Sequence, residues 1–212
     1  MEINQLWQNG TESDWKAELD KYYSHPFVRN NTALENRMEI LVPSDIDKMS
    51  SNEFYLFLRD EYFVWKFTAK NRLSTARKAL AKYETEGMSS LAKIQRKIIF
   101  AYENDPDNTE ELLGIAKRIH GLGTSGASGL LSIMLPEHYG TIDQFSISAL
   151  LKVVNLPEHN ALMRMNPQNL AVKDGVIIEN ILRKKAKELN QRFESTSWTP
   201  RRLDMVLWAT DR

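Results

Sequence analysis

Residues 112–151 read LLGIAKRIHGLGTSGASGLLSIMLPEHYGTIDQFSISALL, and this stretch decides the fold. Leu112, Ile115, Ala116 and Ile119 recur at three- and four-residue steps, the apolar stripe of a helix. Gly121 and Gly123 follow it, two apart, where the absence of side chains lets a backbone turn tightly. The small residues from Thr124 to Gly129 open a second apolar helix that ends near Leu135. Residues 136–140 form a connector. Asp143 then caps a third helix, whose apolar positions are Phe145, Ile147, Leu150 and Leu151.

Outward from this segment the same period continues, and strand alternation is almost absent, so the chain is expected to be all-α. Towards the N-terminus, Ser13 is the expected cap of a helix carrying Trp15, Leu19 and Tyr22, which His25-Pro26 ends. A helix over 32–41 follows. Ser51 then opens an aromatic one, with Phe54, Tyr55, Leu58, Tyr62 and Trp65 on its core face. Further helices are predicted over 70–85, 89–103 and 109–119, the last entered through the turn 105–108. Towards the C-terminus, a long helix over 173–193 turns Ile178, Leu182, Leu189 and Phe193 inward. A final one starts at Thr199-Pro200, a cap with proline in the first turn. With no repeat and no Gly/Ser-rich linker, residues 1–212 are expected to form a single all-helical domain, arranged as two helical lobes.

Composition narrows the function classes. The 212 residues are 42% hydrophobic and 26% charged, ordinary values for a globular chain. No stretch approaches the ~20 apolar residues of a membrane helix, and the polar N-terminus does not resemble an export signal. A cytoplasmic, membrane-free protein is therefore expected. The absence of cysteine excludes disulfides, thiolate metal sites and a cysteine nucleophile. Four scattered histidines do not make a metal site, and no metal or cofactor is expected. Lys+Arg and Asp+Glu are both 28, so the chain is not globally basic. Basic residues do cluster between Lys66 and Lys97, nine against the two acidic residues Glu84 and Glu86. Such a run is either the solvated face of helices or part of a phosphate-binding surface.

Gly121, Gly123 and Gly126 satisfy the G-x-G-x-x-G pattern of dinucleotide binding, but that motif needs a strand before its glycines. A helix precedes them here. A helix-hairpin-helix reading fits better: glycines in the turn let a DNA phosphate approach exposed backbone N–H groups. A rival reading makes the turn only a device for packing two helices.

The segment resembles the hairpin and catalytic-helix region, about 109–152, of the helix-hairpin-helix DNA glycosylase superfamily. The likeness is nearest to its adenine-mismatch type, in Gly121-x-Gly123-x-Ser125, Leu131-Ser132, His138-Tyr139 and Ile142-Asp143. It extends to uncharacterised bacterial proteins described as having an 8-oxoguanine-glycosylase fold. The resemblance implies duplex DNA as partner, held by Lys117, Arg118, Gly121, Gly123, Thr124 and Ser125. It implies Asp143 as the carboxylate that stabilises a cationic sugar. Trp65, Tyr139, Phe145 and Trp208 are candidates to stack on an extruded base, or else core residues. Two departures matter. His120 stands where the family has a hairpin proline. Ser125 stands where bifunctional members place a catalytic lysine, and no lysine occurs between Arg118 and Leu151. A monomeric, monofunctional N-glycosylase without lyase activity is therefore expected. The alternative from another class is a non-enzymatic DNA-binding or protein-interaction module that retains the fold, as in a bacterial defence or repair component.

Overall fold

The computed structural model describes residues 1–211, and every regular element among them is helical. Helices Ile3–Asn9 and Glu12–Ser24 lead into three short ones, Pro26–Arg29, Thr32–Glu39 and Pro43–Lys48. A continuous helical stretch follows, built from Ser51–Leu56, a π-helical segment Phe57–Tyr62 and Phe63–Lys66. Lys70–Leu80, Lys82–Glu86 and Ser89–Asn104 come next, then Thr109–Ala116 and Thr124–Met134 around the glycine turn. Gln144–Leu151, His159–Leu162, Val172–Arg192 and Pro200–Thr210 complete the chain. None of these helices is long and apolar enough to cross a membrane.

One apolar cluster runs through the molecule, from Ile3 and Leu6 to Leu203 and Leu207. The last helix packs against Glu12–Ser24, so the two ends of the chain share a core. The long helix Val172–Arg192 packs on Thr109–Ala116, with Ile178, Leu182 and Leu189 fully buried. Full burial of one such side chain contributes roughly 1.5–3 kcal/mol.

The differences from the sequence reading have local causes. The second helix starts at Glu12, capped by Thr11 rather than Ser13. The Thr11 side chain accepts the Asp14 N–H, and Asp14 Oδ2 accepts the Thr11 N–H at 2.8 Å, so two orphan donors are satisfied at once. Helix Ile3–Asn9 went unread because its seven residues carry almost no periodic signal. Tertiary packing holds it: Leu6 and Trp7 are buried, and Lys185 Nζ donates to the Trp7 carbonyl at 2.6 Å. The stretch read as one helix over 70–85 breaks at Ala81. The helix read over 109–119 ends at Ala116, where the backbone tightens: Arg118 and Ile119 N–H groups donate to the Ile115 and Ala116 carbonyls, three residues back.

That tightening delivers the chain into the glycine turn. Gly121 has φ +93°, and a Cβ placed there would lie 2.7 Å from the Ala76 carbonyl oxygen. The turn is therefore seated directly on the backbone of Lys70–Leu80. Gly121→Ala is expected to destabilise the fold by more than the ~1–3 kcal/mol of left-handed strain alone. Gly123→Ala, where a Cβ meets nothing within 4 Å, is expected to cost under about 1 kcal/mol. Urea midpoints of the two variants, measured side by side, check the contrast.

Candidate active-site cleft and hairpin

Asp143 is positioned by two sets of bonds. Its Oδ1 accepts the Phe145 N–H at 2.9 Å and the Ser146 N–H at 3.3 Å, which caps Gln144–Leu151. Just before it, the Ile142 N–H donates at 2.9 Å to Ser128 Oγ, and Ser128 Oγ donates at 3.0 Å to the Ser125 carbonyl. The small, buried Ser128 thus ties the Asp143 strand of chain to the first turns of Thr124–Met134. The capping role read from the sequence is present, and it fixes where the other oxygen points.

That oxygen, Oδ2, lies 3.7 Å from Lys66 Nζ. Asp143 forms part of the wall of a cleft of about 510 Å³, which Lys66, Gly123, Thr124 and Ser125 also line. Aromatic side chains flank it. Trp208 meets Tyr22 edge-on at 5.4 Å and Phe145 at 6.5 Å between ring centroids, and Trp65 lies under the Arg201 guanidinium at 5.0 Å.

A buried polar network forms the cleft's floor. Glu35 accepts from Tyr22 Oη and Trp65 Nε1, both at 2.7 Å, and from Arg201 Nη2 at 3.2 Å. Arg201 Nη1 donates to Asp204 Oδ2 at 2.7 Å. Burial pushes the Asp204 pKa up to about 6 against the pull of Arg201. Burial works against the Arg201 charge, yet Tyr22, Asp204 and Glu35 hold its pKa above the usual guanidinium range. Arg201 and Glu35 therefore satisfy each other and their neighbours, and act as a scaffold that holds Trp65 in place.

Lys66 differs from both. Its side chain is only 9% exposed. Burial lowers its pKa below the ordinary lysine value, Asp143 and Asp204 oppose that shift, and Arg201 adds to it. It does not lie on an exposed face, where both readings of the basic run had put it. Its stem packs on Thr124–Met134 at Gly129, where a Cβ would lie 3.1 Å from Lys66 Cδ and 2.8 Å from Tyr62 Oη. Tyr62 Oη also donates to the Gly126 carbonyl. Gly129 lets the Phe57–Lys66 stretch lie close against the second hairpin helix.

The other sequence candidates divide. Gly123, Thr124, Ser125 and Asp143 share the cleft wall, whereas Lys117, Arg118 and Gly121 lie outside it. Lys117 and Arg118 are exposed on the turn, and neither is held in an ion pair among the described residues. Thr124 is buried and its hydroxyl donates to the Leu170 carbonyl at 2.6 Å, so that hydroxyl serves the fold rather than a ligand. Trp65, Phe145 and Trp208 line the cleft; Tyr139 is fully buried, with its hydroxyl on the Pro106 carbonyl, and belongs to the core. The hairpin's His120 pairs with Glu86 at 3.0 Å.

Sequence reasoning missed Lys66, Glu35, Arg201 and Asp204. For Lys66 a signal existed: it lies four residues after Tyr62, so it continues a buried aromatic stripe with a charge. No family model, curated protein or solved structure matches this chain.

Proposed function

We propose that this chain is a base-excision N-glycosylase of the helix-hairpin-helix type, acting on duplex DNA. One observation carries the reading: Asp143 stands at the head of a helix, on the wall of an aromatic-flanked cleft that the end of the glycine hairpin also lines. In this reading the exposed backbone around Gly123 takes a phosphate, aided by Lys117 and Arg118. A nucleotide turned out of the duplex enters the cleft between Trp65, Phe145 and Trp208. As the base departs, positive charge develops on the sugar. Asp143 stabilises it, and water adds at the anomeric carbon.

A binding-only module is the second reading, favoured by the capping bonds that already account for Asp143 Oδ1. Capping does not account for Oδ2, which pairs at 3.7 Å with the buried Lys66 amine on the lining of the same cleft. The test is a panel of labelled duplexes, each with one damaged or mispaired base, treated with alkali to reveal abasic sites. Strand breaks after alkali in at least one duplex support excision. Binding without breaks across the panel supports the module.

The same reading sets an expectation for binding. Association is expected to be salt-sensitive, and Lys117→Glu and Arg118→Glu are each expected to weaken it and lower the log–log salt slope by about one. Fluorescence anisotropy at several salt concentrations measures both.

A further inference from the structure

We infer that Lys66 is an amine nucleophile, and that the cleft forms a covalent imine with the aldehyde of an abasic deoxyribose and cleaves the strand beside it. The inference rests on the base-excision reading for its substrate class, a nucleic-acid sugar whose C1′ is an aldehyde. It reverses the expectation of a monofunctional enzyme, which depended on Ser125 and on the absence of lysine from residues 119–151. The amine comes instead from a segment about 55 residues before Gly121 of the hairpin.

Three features of the molecule converge on this assignment. The first is position. Lys66 Nζ lies 3.7 Å from Asp143 Oδ2, and both residues line the same cleft of about 510 Å³. The second is construction. The π-helical segment Phe57–Tyr62 widens the helix just before this point, and such widened turns recur at functional sites. Tyr62, its last residue, and Lys66, four residues further on, both lie against Gly129. Any side chain at 129 would collide with them, so the helix surface is cut away where the lysine stem runs. The third is chemical state. A surface lysine is protonated and heavily hydrated, hence a poor nucleophile. Lys66 is withdrawn from water, and burial favours its neutral form. A purely structural lysine would be expected to close its charge in short hydrogen bonds, as Lys185 does with Glu188 and the Trp7 carbonyl, both at 2.6 Å. Among the described residues Lys66 makes no bond that short; its ion-pair partner Asp143 stands at 3.7 Å.

The chemistry balances without an oxidant or reductant. The Nζ lone pair adds to the C1′ aldehyde carbon of the ring-opened sugar, forming the C–N bond. The carbonyl oxygen leaves as water, giving a protonated imine. Asp143 takes a proton from C2′, and that electron pair moves through the enamine to break the C3′–O bond, with the 3′-phosphate as leaving group. Water then adds to the imine carbon, which restores the Lys66 amine and releases an unsaturated aldehyde on the sugar remnant.

The test is borohydride trapping of the full-length protein on a duplex with one pre-formed abasic site, so that it does not depend on recognising any particular base. Hydride reduces the protonated imine to a stable secondary amine, and peptide mapping by mass spectrometry locates it. The expected result is a covalent adduct mapped to Lys66 in the wild type and lost to background in Lys66→Met and Lys66→Arg. The mapping needs no variant, so the proposal is decided even if both substitutions misfold. An adduct on any other amine, or none at all, overturns it. Its fate is separable from that of the base-excision reading. Bases excised in the lesion panel without an adduct would leave a monofunctional glycosylase. An adduct at Lys66 with nothing excised would leave an abasic-site lyase.

Discussion

Asp143→Asn is expected to remove base excision while leaving the fold and DNA binding nearly intact. Asparagine is as good a helix cap as aspartate, so the bonds to the Phe145 and Ser146 N–H groups can be kept through the amide oxygen. The cap's own contribution to stability is therefore expected to change by under about 1 kcal/mol. The charge is lost completely. One fixed group aimed at developing charge in an active site is worth about 10²- to 10³-fold in rate. The amide also leaves Lys66 without its facing anion, which lowers the lysine's affinity for a proton further. Single-turnover excision of the best substrate from the lesion panel measures the effect, with circular dichroism and anisotropy as controls. A variant that excises at the wild-type rate would return Asp143 to being a helix cap.

The largest expected effect on stability belongs to Arg201→Met. Methionine fills much of the aliphatic volume but strands Glu35 and Asp204, which both lean on the guanidinium. Removing one member of a buried ion network typically costs about 3–5 kcal/mol, because the remaining charges are left uncompensated. The pH dependence has a definite sign. Asp204 binds its proton more tightly in the folded chain, at about 6, than a free aspartate side chain does at its ordinary 3.8. Between those values the folded state holds more protons, so this group's contribution to stability falls as pH rises through the window. Without Arg201 the folded pKa climbs further and the window extends upward. The deficit of the variant is thus expected to be larger at pH 7.5 than at pH 5, where Asp204 is mostly neutral in both proteins. Chemical denaturation of the pair at the two pH values measures this, and a deficit independent of pH would contradict the network as described.

What could be read from the sequence was local. The glycine turn, the helices on either side, the cap at Asp143 and the cap at Thr199 all follow from signals within a few residues. The all-helical character follows from a period repeated along the chain. The composition of the cleft did not follow, because it depends on which distant segments meet. Glu35, Trp65 and Arg201 are brought together across 166 residues of chain. Nothing near Arg201 distinguishes it from the exposed Arg202 beside it. Lys66 was hidden in a different way. Grouped with its basic neighbours it belongs to a surface run, but the helical register from Tyr62 puts it in the interior. Periodicity was the better guide there than charge.

The central question is whether a base leaves its sugar in this cleft. Mass spectrometry of the small molecules released from a pooled set of single-lesion duplexes tests that without reference to strand breakage. The expected result is one free base, or a few chemically related ones, released by the wild type and not by Asp143→Asn. Duplexes that bind the protein, yet keep every base attached after prolonged incubation, would contradict it.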